Sequence, residues 1–181
     1  MEWSRRSGFD RRGKISSVQS ERRNGIERRE LIFDQKKLIR MLRKTPIFNE
    51  LTNNEFKNIL SICSKQLFLK NEVIYFEGSK SDDMYIFIDG ILKVTLEGDE
   101  LSLITPVDVI GEMGIFTREL RSATVYAKTD CVLLKLTRVE LTNLFEKKSM
   151  LRNRFYLGMI INLSNKLRKA NEFITKLKNN L

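Results

Sequence analysis

Two side chains of opposite charge, Glu112 and Arg121, stand nine positions apart in one glycine-bearing segment. The segment reads Val109-Ile110-Gly111-Glu112-Met113-Gly114-Ile115-Phe116 and resumes as Arg121-Ser122-Ala123-Thr124. Glycines at 111 and 114 let the backbone come close to a ligand. Residues 111–116 predict a helix of one or two turns, whose first N–H groups suit an anion. Arg121 offers a planar fork of donors that matches two phosphate oxygens. An ionised Glu112 can only accept, which suits a sugar hydroxyl, and Ser122 adds a hydroxyl beside the arginine. Together these groups could grip a sugar-phosphate. They could also form only an ion pair that holds the fold.

Other chemistries lack their reagents. The chain has no histidine, so it lacks the commonest general base and metal ligand, and a Ser-His-Asp arrangement is excluded. A metal-binding β-barrel that leans on histidine is disfavoured for the same reason. Cys63 and Cys131 lie far apart in apolar runs and read as buried free thiols. No nucleophile stands beside a base, so the sequence predicts a binding protein rather than an enzyme.

The segment resembles the phosphate-binding cassette of the cyclic nucleotide-binding domain family. That cassette runs Gly-Glu, a few residues, then Arg, a small residue and Ala. Gly111-Glu112 and Arg121-Ser122-Ala123 match it at the expected separation. The family's upstream signature matches too: Gly78, the strand 84–88 (Met-Tyr-Ile-Phe-Ile), Gly90, and the apolar stretch 91–96. The resemblance covers about residues 45–178. It implies that Glu112 accepts from a ribose 2′-OH and that Arg121 pairs the cyclic phosphate. Ser122, Ala123 and the backbone from Gly111 to Met113 would complete the cradle. Serine after the arginine leans toward cAMP over cGMP. The family's long helix commonly contacts the base, and Asn171, with a donor and an acceptor, is the candidate here. Val107-Asp108 replaces the family's frequent Gly-Asp and implies a different turn.

The elements that must position this segment are legible from patterning. Short apolar runs between Gln66 and Leu136, broken at Lys70-Asn71, 78–83, Asp89-Gly90, Gly98-Asp99 and 128–130, predict many short antiparallel strands. The expected fold is mainly β with flanking helices: an antiparallel β-barrel of jelly-roll type followed by a long C-terminal helix. Tyr85, Phe87, Val94, Leu96, Leu101 and Leu103 are expected in the core or on its surface. A helix is predicted from Asp34 to about Lys44 and stopped by Pro46. Thr52 with Glu55, and Thr137 with Glu140, have the spacing of capping boxes.

Beyond residue 149 the apolar positions Tyr156, Ile160, Leu163, Leu167, Ala170, Ile174, Leu177 and Leu181 alternate steps of four and three. That 3.5-residue period predicts a coiled-coil seam and a homodimer. A single amphipathic helix on its own domain is the alternative. A second stripe, Leu151, Phe155 and Met159, is expected to face the barrel.

Charge divides the chain into the same parts. Residues 1–30 carry nine Lys/Arg against five Asp/Glu, and residues 146–181 carry nine against two, while the middle is near neutral. Residues 1–33 read as a loosely ordered basic arm. Its motif Arg5-Arg6-Ser7-Gly8-Phe9-Asp10-Arg11-Arg12 returns in altered form as Arg22-Arg23-Asn24-Gly25-Ile26-Glu27-Arg28-Arg29. Residues 34–148 form the expected nucleotide-binding unit, and 149–181 the dimerisation helix. No apolar run is long enough to span a membrane, and the expected location is cytoplasmic.

These observations lead to a cyclic-nucleotide sensor, ligand cAMP or cGMP, signalling through its C-terminal helix to an unknown downstream protein. A ligand-free interaction scaffold of the same fold is one alternative. Binding of nucleic acid or another anionic partner by the basic ends is the other.

Overall fold

The computed structural model describes residues 35–179, with side chains from residue 38 onward. The basic arm and its repeat lie outside the described residues, as does Leu181 of the seam.

Eight strands form where the apolar runs fall. They are β1 (Ser64–Phe68), β2 (Val73–Tyr75), β3 (Asp83–Asp89), β4 (Leu92–Leu96), β5 (Asp99–Ile104), β6 (Asp108–Ile110), β7 (Thr124–Ala127) and β8 (Cys131–Thr137). They make two antiparallel four-stranded sheets, ordered β1-β8-β3-β6 and β2-β7-β4-β5. The expected barrel is corrected in one respect. The sheets face each other as a jelly-roll-like sandwich and do not close. The outer strands β2 and β6 are only three residues long, too short to carry a ladder from one sheet to the other.

Strand β3 shows why its sequence is apolar on both faces. Tyr85 and Phe87 point into the core between the sheets, with Leu92, Val125 and Leu133. Met84, Ile86 and Ile88 point the other way, into a second core shared with the helices. Leu101 and Leu103 of the outer strand β5 lie on the surface instead, 57% and 45% exposed, as does Leu96 at the end of β4.

The helices are α1 (Gln35–Leu42), α2 (Pro46–Asn49), α3 (Asn53–Ser61), α4 (Glu112–Thr117), α5 (Arg138–Lys147) and α6 (Ser149–Asn179). Pro46 both follows α1 and opens α2 at a first-turn position, where its missing N–H costs nothing. Both capping boxes form, with reciprocal side-chain and backbone bonds at Thr52/Glu55 and Thr137/Glu140. Leu151, Phe155 and Met159 of α6 are buried against Phe48, Phe56 and Phe145. Gly158 is where α6 crosses α2: a Cβ there would lie 2.7 Å from the Ile47 backbone. α6 stays half-buried through Lys166, with Leu163 packed against the helical core, and is exposed from Leu167 onward. Leu167, Ile174 and Leu177 are 63%, 50% and 50% exposed, so among the described residues the seam is uncovered from Leu167 onward, while Leu163 is half-buried and Tyr156 stacks on Phe116 and Phe145. Among the described residues, no helix is long and apolar enough to cross a membrane.

Candidate functional site

Helix α4 follows β6 at a left-handed turn. Gly111 is its N-cap at φ 71°, and no side chain caps the first turn. The glycine is required twice over. Its φ is one that L-residues adopt at a cost, and a Cβ would lie 2.1 Å from an Arg121 guanidinium nitrogen. Arg138 of α5 secures the segment from behind, donating to Ser81 O at 2.7 Å and Gly114 O at 2.9 Å.

Arg121 enters from the far side. Its backbone N–H donates to Ser79 O and its carbonyl accepts from Gly78 N–H, both at 2.9 Å. The loop after β2 and the loop after α4 are thereby tied together. The residue is 5% exposed. Nη1 donates to Gly111 O at 3.0 Å, Nη2 pairs with Asp83, and the guanidinium stacks 4.2 Å from the Tyr75 ring centroid. Asp83 also accepts from Lys135 Nζ at 2.8 Å. Hydrogen bonding to Asp83 raises the Lys135 pKa, and burial raises that of Tyr75. Arg121 Nε is buried without a partner among the described residues. An unpaired buried donor is costly and unusual, and an acceptor atom on a ligand would satisfy it.

Glu112 is 4% exposed and does not pair with Arg121. Its Oε1 accepts from Lys166 Nζ of α6 at 2.9 Å, and Lys166 also donates to Val109 O at 2.8 Å. The two charges that the sequence singles out therefore face one cavity with separate counter-ions.

That cavity holds about 200 Å³. Gly111, Glu112, Met113, Arg121, Ser122 and Ala123 all line it, together with Tyr75, Val94 and Lys166. Asn171 does not. It lies exposed on the free part of α6, and its carbonyl accepts from Thr175 within the helix. The helix has already left the body at that point, so nothing turns Asn171 toward the cavity. Sequence reasoning missed Asp83, Tyr75 and Lys166. All three are distant in sequence from the cassette, and no local motif announces them.

Residues 65–148 match the family model for the cyclic nucleotide-binding domain. Among curated proteins, the human potassium/sodium hyperpolarization-activated cyclic nucleotide-gated channel 2 is 26% identical over 87% of this chain, which spans only 18% of that channel's length. Among solved structures, the catabolite activator protein of Thermus thermophilus is 25% identical with a TM-score of 0.63, over 74% of this chain and 63% of that one. A cyclic nucleotide-binding domain from Methylobacillus flagellatus, 20% identical, superposes with a TM-score of 0.70 over 76% and 80%.

Proposed function

We propose, from the premise that residues 65–148 belong to the cyclic nucleotide-binding domain family, that this chain is a cyclic-nucleotide sensor read out by its long helix. The observation that carries the reading is the pair of buried, opposite charges on one cavity, with Arg121 Nε unsatisfied. The cyclic phosphate takes Arg121 Nε and the mouth at Ser122, and Glu112 accepts from the ribose hydroxyl. Ser122 after the arginine favours cAMP over cGMP.

The cavity is smaller than the usual ~300–1,000 Å³ of small-molecule sites, and Lys166 lines it. A nucleotide entering it displaces the Lys166 side chain from Glu112. That exchange links the cavity to α6, which can swing at Lys148, the residue between α5 and α6. The exposed seam from Leu167 to Leu177 then meets a second copy. A bound ligand thereby biases a two-state element.

Calorimetry with cAMP and cGMP tests the reading. Micromolar to submillimolar binding of one of them is expected. Arg121→Ala should weaken it by about 2–5 kcal/mol, as for truncating one side of a desolvated charged contact. Silence at near-millimolar ligand, or an unchanged affinity in the variant, favours a ligand-free scaffold. One feature supports that second reading: Glu112 and Arg121 both have counter-ions within the protein.

A further inference from the structure

A second cavity, of about 530 Å³, lies on the other side of Lys166, between α6, the Lys44–Pro46 turn and Val107-Asp108. Its volume falls in the ordinary range for small-molecule sites. Two polar residues in its lining are more than nine-tenths buried, and each has a side-chain atom with no hydrogen-bond partner among the described residues: Thr45 Oγ1 and Asn162 Nδ2, on residues 4% and 5% exposed. Asn162 is the less expected of the two. It continues the buried stripe of Leu151, Phe155 and Met159, where an apolar residue would pack without penalty. A buried amide donor left unpaired is destabilising.

The rim is cationic. Lys44, Arg168 and Lys169 line it, and among the described residues none of the three has a carboxylate partner. Two acids, Asp108 and Glu172, also line it, and Lys166 stands 3.8 Å from Asp108. Three cations, beside a Lys166 already paired with Glu112, therefore face two acids. Unpaired polar atoms on lining residues and a positive rim select a ligand with several acceptor oxygens and negative charge.

We propose that this cleft binds a small phosphate-bearing anion, its charge met by Lys44, Arg168 and Lys169 and its oxygens reaching Asn162 Nδ2 and Thr45 Oγ1. The site is separate from the Glu112/Arg121 cavity, and the cleft can fill whether or not that cavity does. The two share one wall, since Lys166 lines both. An anion in the cleft draws Lys166 away from Glu112 and so favours a nucleotide in the first cavity, with reciprocal effect. Only this coupling rests on the function proposed above.

The test titrates pyrophosphate into the full chain while following the side-chain amide of Asn162 by NMR, with Asn162→Leu assigning the signal. A saturable shift of that amide is expected. Lys169→Glu and Arg168→Glu should each weaken it at least tenfold, the scale of one charged hydrogen bond. Ser122→Glu, which places an acid at an exposed position of the first cavity, should leave it unchanged. Three results would overturn the site: an Asn162 signal unmoved through about 10 mM pyrophosphate, affinity indifferent to both charge reversals, or a response abolished by Ser122→Glu. The coupling fails by itself if pyrophosphate binds and nucleotide affinity does not change.

Discussion

Lys166 Nζ lies 2.9 Å from Glu112 Oε1, so a residue of the long helix supplies the counter-ion of a cassette carboxylate 54 positions earlier. If a nucleotide must displace this contact, removing it should help the nucleotide. Lys166→Ala is expected to raise nucleotide affinity several-fold while lowering stability by about 1–2 kcal/mol. The stability loss is below the 3–5 kcal/mol of a fully buried pair, because the lysine side chain is 37% exposed. Calorimetry and urea unfolding on one preparation separate the two effects. Affinity falling alongside stability would make Lys166 a support for Glu112 rather than a gate.

Gly111 gives a sharper probe of the arginine. In Gly111→Ala the new methyl lies where the Arg121 guanidinium now sits, and a left-handed φ costs a non-glycine residue about 1–2 kcal/mol. The guanidinium must move, because α4 and β6 fix the backbone. The expected outcome is a folded protein with binding weakened tenfold or more. Circular dichroism with a binding titration checks it, and wild-type affinity in this variant would separate Arg121 from the ligand.

The seam makes a prediction about association. Leu167 and Ile174 are exposed within one chain and lie on the 3.5-residue period. Sedimentation should show a concentration-dependent dimer. The Leu167→Glu, Ile174→Glu double variant should be monomeric, with the unfolding transition of the β-sandwich hardly altered. A monomeric wild type at high micromolar concentration would leave the seam without this role.

Cys63 is held as a thiol. Burial, assisted by the charge of Glu140, pushes its pKa up to about 12, and its Sγ–H donates to Ile59 O at 3.2 Å. At pH 8 the folded protein then carries on the order of a thousandfold less Cys63 thiolate than an unfolded chain with an ordinary pKa near 8.5. Alkylation by iodoacetamide should be slower by about a hundredfold in buffer than in urea, since the higher pKa returns some nucleophilicity. Rapid labelling of Cys63 in the native state would contradict its placement between α3 and the core.

Much of this fold was legible in advance because local chemistry and global position agree. Each of the eight apolar runs became a strand, since the breaks between them carry turn residues and no run is long enough for anything else. Both capping boxes formed because their bonds span only three residues. The run at 84–88 was read as a strand, but which side chain faces which core could not be. Both its faces are apolar, and only the packing of helices on one side and a second sheet on the other assigns them. The exposure of Leu101 and Leu103 has the same origin: among the described residues nothing packs on the outer face of β5.

The sequence by itself determined the cassette, its glycines and the two charges, because a ligand cradle built from one strand-turn-helix segment is a local object. It also determined the 3.5-residue seam, since periodicity is a property of one helix. Only the tertiary structure decided who neutralises those charges. Asp83 reaches Arg121 across 38 positions and Lys166 reaches Glu112 across 54, and Coulomb attraction at contact distance depends on where the chain folds back, which no short-range pattern records. The same folding back kept Asn171 away from the cavity and brought Thr45 and Asn162 to the lining of one cleft. A helix fixes the spacing of its own side chains, but its direction off the body is set by the packing at Gly158.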